Sequence, residues 1–393
     1  LKPLQGVTVV TLEHAIAAPY ATRQLADLGA RVIKIERPGV GDFARGYDTR
    51  VNGLSSHFVW TNRSKESLTL DLKQPEALEI LWRLIAEEAD VLVQNLAPGA
   101  FERMGFGFDE IAARNPRAIV CNISGYGPEG AYRDKKAYDL LIQSEAGFLS
   151  VTGTADTPSK AGISVADIAA GMYAYTNILA ALIERGRTGS GQQIHVSMLE
   201  ALAEWMGFPM YYSYEGAAPP IRAGASHATI YPYGPFRVGD GGVVMLGLQN
   251  EREWETFCVR VLQQPDLASD SRFDRNPKRH ERREEVTQII ERAFASLRSE
   301  EVVARLEQAQ IANARVNNMA DLWAHPQLQA RNRWMQVSTE HGPIPALIPP
   351  GLNPADQPIM NPVPALGQHT DAILEQLGYT QSARAAMRER GVI

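Results

Sequence analysis

Asp167 is the residue of this chain best placed for covalent chemistry. It closes Gly162-Ile163-Ser164-Val165-Ala166-Asp167, leads into Ile168-Ala169-Ala170-Gly171-Met172-Tyr173-Ala174-Tyr175, and is the only charge between Lys160 and Glu184. Two readings are open. Its carboxylate can accept the free amide hydrogens of a helix's first turn. Alternatively, a helix N-terminus favours the ionised carboxylate by about 0.3–1 kcal/mol, while apolar surroundings strip its water and make it more nucleophilic. From the residues alone the cap is the simpler reading. Arg37, Lys73, Arg103 and Lys136 each read singly as a solvated charge, but as a set they could grip phosphate. His14 could act as a base, although a lone histidine in a turn reads first as a structural hydrogen-bonder.

Composition bounds the ligands. A net charge of -6 argues against nucleic acid as the main partner and leaves room for a local basic pocket. Cys121 and Cys258 have no partner spacing, so neither a metal site nor a disulfide framework is expected, and a reducing, cytoplasmic setting fits. No apolar run of membrane-spanning length and no signal-peptide layout is read, so no membrane partner is expected.

The elements that must carry these residues alternate. Val7–Leu12 reads as a strand, Pro19 as the first residue of a helix closed by Gly29, and Arg31–Ile35 as a second strand ending at Glu36. Glu36 is where a dinucleotide fold would hold a ribose. The intervening turn, Glu13-His14-Ala15-Ile16-Ala17-Ala18, has none of the G-x-G-x-x-G glycines, which disfavours NAD. Leu68–Leu72, Val91–Val93, Ala118–Cys121 and Gln193–Met198 read as further strands, and Pro75 starts a helix. In the Asp167 segment, Ile168, Met172, Tyr175, Leu179 and Leu182 predict one stripe against a core, with Gly186 ending the helix. The class is therefore α/β with a mostly parallel sheet, where ligands bind beyond the strand carboxyl ends, as all four basic residues do.

After Pro209 the chain turns Tyr-, Gly- and Pro-rich, then shows a hairpin signal in Gly239-Asp240-Gly241-Gly242. A large domain over 1–205, a connector over 206–225, a small α+β domain over 226–330 and a returning strap with final helices over 331–393 are expected.

Together these segments resemble the class III CoA-transferases from end to end. The most specific matches are Ala18-Pro19 with Leu28-Gly29-Ala30-Arg31-Val32-Ile33-Lys34-Ile35-Glu36, then Asn62-Arg63-Ser64-Lys65 with Leu70-Asp71-Leu72-Lys73, Arg103-Met104-Gly105, and Leu366-Gly367-Gln368-His369-Thr370. The resemblance implies a Rossmann-like large domain built from both chain ends, a smaller inserted domain, and a homodimer of interlocked rings. It places Asp167 on the family's nucleophile, which reverses the preference for a mere cap. It implies that coenzyme A, as an acyl-CoA substrate with no tightly bound cofactor, touches Ile16, Ala17, Arg37, Leu70, Asp71, Lys73, Asn95, Leu96, Arg103, Met104 and Lys136.

The family reaction then passes through an aspartyl anhydride and an aspartyl-CoA thioester. Its oxyanions call for donors from backbone amides near Asp167 or from a glycine-containing loop. Ile16 stands where formyl-CoA transferase has a glutamine, and Gly247 is alone where that enzyme has a run of glycines. The chain looks closer to members acting on C4–C5 dicarboxylates, with succinyl-CoA as donor and malate, itaconate, mesaconate or citramalate as acceptor, or with transfer inside mesaconyl-CoA. His14, Arg45, Tyr138, Arg222, His227, Gly247 and Gln249, with Asn250 beside it, are the substrate candidates. Tyr138 stands where the related α-methylacyl-CoA racemases carry a histidine, and a phenol of ordinary pKa near 10 is a poor proton shuttle, which disfavours racemisation. A non-catalytic acyl-CoA-binding subunit is the remaining alternative.

Overall fold

Six parallel strands order this protein, for which a computed structural model describes residues 2–352, 355 and 357–393. They are β1 (Thr8–Leu12), β2 (Arg31–Glu36), β3 (Lys65–Thr69), β4 (Val91–Gln94), β5 (Ile119–Ser124) and β6 (Gln193–Ser197), in the spatial order β3-β2-β1-β4-β5-β6. Parallel pairing demands a crossover between strands, so each connecting helix starts at the carboxyl edge and returns to the amino edge. The order reverses between β1 and β4, and the crevice beyond that switch point is where such sheets bind ligands.

β3 begins three residues earlier than the sequence suggests. Lys65 opens the strand and is buried, because the Glu13 carboxylate pairs with its ammonium, and that masks the apolar signal. As the outermost strand, β3 would expose backbone groups to pairing with another chain. The chain end covers it: Ser67 N–H donates to His369 Nδ1 at 3.1 Å, His369 N–H to Ser67 O at 3.0 Å, and Thr69 N–H to Thr370 Oγ1 at 3.0 Å. Gly367-Gln368-His369-Thr370, which reads in sequence as a loop and cap, is thus an edge cover.

The Val165–Thr188 helix departs from the expected stripe. Its buried residues are Ala166, Ala169, Ala170, Gly171, Ala174, Ile178, Ala181 and Arg185, while Ile168, Met172, Tyr175 and Leu179 are half-buried. The cause is close approach to the Ala17–Asp27 helix. A Cβ at Gly171 would stand 2.7 Å from Ala17 O, so only small residues fit the crossing. By length and composition this helix could also cross a membrane, which the sequence reading did not anticipate. Here its small-residue face packs on the Ala17–Asp27 helix.

The described residues form two compact units. One comprises the chain up to Gly147, Ala161–Gly207 and Pro326–Ile393 and holds the parallel sheet; the other comprises Phe148–Lys160 and Phe208–His325. In the first, Ile373, Leu374, Leu377, Met387 and Val392 join one core with Val10, Ile33, Leu81, Leu92 and Val120. In the second, β7 (Tyr233–Arg237), β8 (Val243–Gly247) and β9 (Ala312–Arg315) make an antiparallel sheet over a core around Trp254, Phe257, Phe273 and Phe294.

Candidate active site

Two loops meet over the switch point. Asn95, just past β4, accepts the His14 N–H through Oδ1 and donates from Nδ2 to His14 O, both at 2.9 Å, so one amide clamps the loop after β1. Asp42 completes the clamp by accepting from Ala15 N–H at 3.1 Å, which helps hold Ala15 at a φ of 62° that non-glycine residues rarely adopt. The His14 ring stacks on Phe43 at 5.0 Å, with Nδ1 3.7 Å from Asp42 Oδ1, too long for a hydrogen bond.

Beneath the loop lies a buried ionic network. Lys65 Nζ donates to Glu13 Oε1 at 2.6 Å, to Pro19 O and to Asn62 Oδ1; Lys34 Nζ donates to Asp42 Oδ2 at 2.7 Å. Arg45 meets Glu36 through two parallel bonds of 2.8 Å, while Ser67 Oγ–H donates to Glu36 Oε2 at 2.6 Å. Burial opposes every one of these charges. The partners nevertheless hold the carboxyls of Glu13, Glu36 and Asp42 below their usual range and the Lys34 ammonium above its own, whereas burial pulls Lys65 down to about 7. Glu36 is therefore a structural anion with no room for a ribose.

Asp167 is the third residue of the Val165–Thr188 helix, one turn before Gly171 and on the same face, which sets it beside the start of the Ala17–Asp27 helix. It does not cap its helix. Asp139, at the start of the Asp139–Glu145 helix, takes that role: its Oδ1 accepts from Ala166 N–H at 2.8 Å and from Asp167 N–H at 3.3 Å. Gln143 orients Asp139 by donating from Nε2 to Oδ2 at 2.6 Å, while its own Oε1 accepts from Ala161 N–H at 2.9 Å. The half-buried Asp167 carboxylate has no hydrogen-bond partner among the described residues. Burial first, and then the charge of Asp139, push its pKa up to about 7. Burial, with the charges of Asp42, Asp167 and Tyr138, pushes Tyr47 up to about 12, so its phenol is a donor at neutral pH.

The first-turn amides are all engaged, since Val165 N–H donates to Ile163 O and Ile168 N–H to Ser164 O, both at 2.9 Å, in addition to the two on Asp139. The first-turn amides themselves are therefore not the expected oxyanion donors.

The cations occupy one rim. Arg37 follows β2, Lys73 follows β3, Arg103 ends the short Ala100–Arg103 helix after β4, and Lys136 follows β5; all four are exposed and, among the described residues, none has an ion-pair partner. The loop after β5 folds back sharply at Gly125, where a Cβ would stand 2.2 Å from Ala137 Cβ, and this brings Lys136 and Tyr138 to the rim. Ile16, Ala17 and Leu70 are buried and can offer only backbone, whereas Asp71, Asn95, Leu96 and Met104 are half-buried.

The substrate candidates divide. His14 is joined to Tyr47 through the Phe43 ring, and Tyr138 immediately precedes the capping Asp139. Arg45 is bound to Glu36, donates to Pro364 O and covers the Phe58 ring at 3.8 Å, which leaves it no free face for a substrate carboxylate. The others lie in the second unit with partners there. Arg222 donates to Thr154 O at 2.8 Å and Ala155 O at 2.6 Å; His227 Nδ1 accepts from Thr229 and Ile230 amides while its ring stacks on Tyr233. Gly247 pairs with Tyr233, whose ring would stand 2.8 Å from a Cβ at 247. Gln249 is exposed and donates its backbone N–H to Glu253 Oε2, while Asn250 caps the Glu251–Thr256 helix. Sequence reasoning missed Asp139, Gln143, Asp42 and Tyr47 as parts of the site; an aspartate and glutamine four apart was the one local signal. Among the described residues no group of three or more His, Cys, Asp or Glu is arranged for a metal.

The model of CoA-transferase family III matches residues 4–370. The chain belongs to that family. Class III CoA-transferases act on CoA thioesters. The human succinyl-CoA:glutarate CoA-transferase is 32% identical over 100% of this chain and 90% of its own length. The succinyl-CoA:mesaconate CoA-transferase of Haloarcula hispanica is 34% identical over 85% of each chain, and the formyl-CoA:oxalate CoA-transferase of Shigella sonnei 30% over 100% and 99%. Among solved structures, a CAIB/BAIF family protein from Brucella suis superimposes with a TM-score of 0.83 at 32% identity, covering 96% of this chain and 99% of that one.

Proposed function

We propose that the protein transfers CoA between dicarboxylic acids with Asp167 as the covalent nucleophile. The observation that carries this is the carboxylate's situation: Asp139 has taken over the capping, so Asp167 stands half-buried and, among the described residues, without a hydrogen bond at the carboxyl edge of the sheet. One Asp167 oxygen attacks the thioester carbonyl; a C–O bond forms, the C–S bond breaks, and CoA leaves as thiolate with the electron pair. The thiolate then attacks the Asp167 carbonyl, releasing the donor acid as carboxylate and leaving an aspartyl-CoA thioester. An acceptor carboxylate reverses both steps. Arg37, Lys73, Arg103 and Lys136 hold the phosphates of CoA, keeping the thiolate in place between steps so that reattack is effectively intramolecular.

Relatives acting on glutarate and mesaconate support a C4–C5 dicarboxylate as acceptor with succinyl-CoA as donor, and Ile16 in place of the glutamine of formyl-CoA transferase supports this against oxalate. The resemblance further supports an interlocked homodimer, to be checked by light scattering.

The deciding experiment offers succinyl-CoA with glutarate, mesaconate, itaconate, malate or oxalate to the pure protein and reads new acyl-CoA and peptide adducts by mass spectrometry. An adduct on the Asp167 peptide, absent in Asp167→Ala, is the expected result. An adduct elsewhere, or full turnover in Asp167→Ala, overturns the assignment.

A further inference from the structure

We infer that Asp139 is a positioning residue for the nucleophile: its carboxylate grips the first helical turn through the Ala166 and Asp167 amides and stands as a fixed negative charge beside the Asp167 carboxyl. This rests on the proposed covalent role of Asp167. Capping alone needs no charge, since a neutral serine or asparagine caps as well as an aspartate. A carboxylate at this position does more. It cancels the positive end of the helix that would otherwise settle an ionised Asp167. Gln143 donates to the other oxygen and fixes the carboxylate in that orientation, and Gln143 is in turn anchored by Ala161 N–H.

Asp139 acts on Asp167 directly, and Tyr47 lies within reach of the charges of Asp42, Asp167 and Tyr138. Whenever Asp167 is ionised, two carboxylates of like charge therefore meet at this one helical turn. When Asp167 attacks the thioester, its charge leaves with the CoA thiolate; in both the anhydride and the aspartyl thioester, residue 167 is neutral. Asp139 thus disfavours the free ionised carboxylate and favours the acylated states, which makes Asp167 a stronger nucleophile whenever it is ionised. The accompanying effect is that part of the enzyme is protonated at neutral pH.

The test follows the Asp167 carboxyl directly, by its carbon-13 chemical shift against pH in protein labelled at aspartate. Asp139→Asn keeps an oxygen for both amides and removes the charge. Its Asp167 midpoint is expected to fall by at least one pH unit while circular dichroism is unchanged, and the acidic limb of transfer from succinyl-CoA to glutarate is expected to move by the same amount. An unchanged midpoint in folded Asp139→Asn overturns the inference. A second variant, Asp139→Ser, likewise keeps an oxygen able to cap and removes the charge; an unchanged Asp167 midpoint in folded Asp139→Ser overturns the inference should Asp139→Asn fail to fold. If the Asp167 midpoint shifts but no adduct ever forms on Asp167, the coupling stands and the nucleophile assignment falls.

Discussion

The Asp167 backbone N–H donates to Asp139 Oδ1 at 3.3 Å, while the Asp167 carboxylate takes no hydrogen bond among the described residues. The proposed nucleophile is thus held by its backbone and left unsatisfied at its side chain, an arrangement that lowers stability for the sake of reactivity. The pH sense follows from the carboxyl being raised to about 7 from an ordinary value of 3.8. Below the ordinary value both folded and unfolded chains are protonated and nothing is lost. As pH climbs through the interval the folded chain keeps its proton, so stability falls, and above about 7 the loss is complete. Asp167→Asn should therefore leave the melting temperature unchanged near pH 4 and raise stability at pH 8 by on the order of 2–4 kcal/mol. Calorimetry at the two pH values checks this; equal effects at both would remove the electrostatic explanation.

The same proton governs turnover. In the proposed reaction only the ionised carboxylate attacks, so kcat/KM is expected to climb about tenfold per pH unit below about 7 and to level off above it. Initial rates from pH 5 to 9 decide the point, and a limb near pH 4 would mean that Asp167 is ionised as readily as in water.

What the sequence disclosed and what it hid divide along physical lines. The alternation of β1, the Ala17–Asp27 helix and β2 was legible because apolar period and Pro/Gly punctuation are local. The carboxyl-edge position of Arg37, Lys73, Arg103 and Lys136 followed from that alternation alone. The capping of the Asp167 helix was not legible. Asp139 is 28 residues upstream of Asp167, and no local pattern says that its carboxylate reaches two amides that far along the chain. The burial of Lys65 was not legible either, because a buried lysine looks like any other in sequence; it depends on Glu13, 52 residues earlier, being brought beside it by the sheet. Arg45 likewise looked free for a substrate until Glu36 and Pro364 O claimed it.

The rim cations should separate binding from chemistry. Each of Arg37→Gln, Lys73→Gln, Arg103→Gln and Lys136→Gln is expected to raise KM for succinyl-CoA about 3- to 30-fold, equivalent to about 0.7–2 kcal/mol per lost phosphate contact, with kcat within about twofold. Their exposure and lack of ion-pair partners among the described residues predict unchanged melting temperatures. Using 3′-dephospho-CoA thioesters shows which cation meets the 3′-phosphate, because that variant loses nothing further when the phosphate is gone. Four variants with unaltered KM would place CoA elsewhere.

Arg45 offers the opposite expectation. Its two bonds to Glu36 at 2.8 Å are nearly out of solvent, and Glu36 also anchors Asp42 N–H at 3.0 Å and Ser67 Oγ, which in turn holds Gly367 N–H at 2.9 Å. Removing the guanidinium strands a buried carboxylate and loosens the join between β2, β3 and the chain end. Arg45→Ala should lower stability by about 3–5 kcal/mol, and Arg45→Lys should recover little of it, since an ammonium cannot reproduce two parallel bonds. Urea denaturation measures the loss. A full-stability Arg45→Ala with a raised KM for the acceptor acid alone would instead return Arg45 to substrate binding.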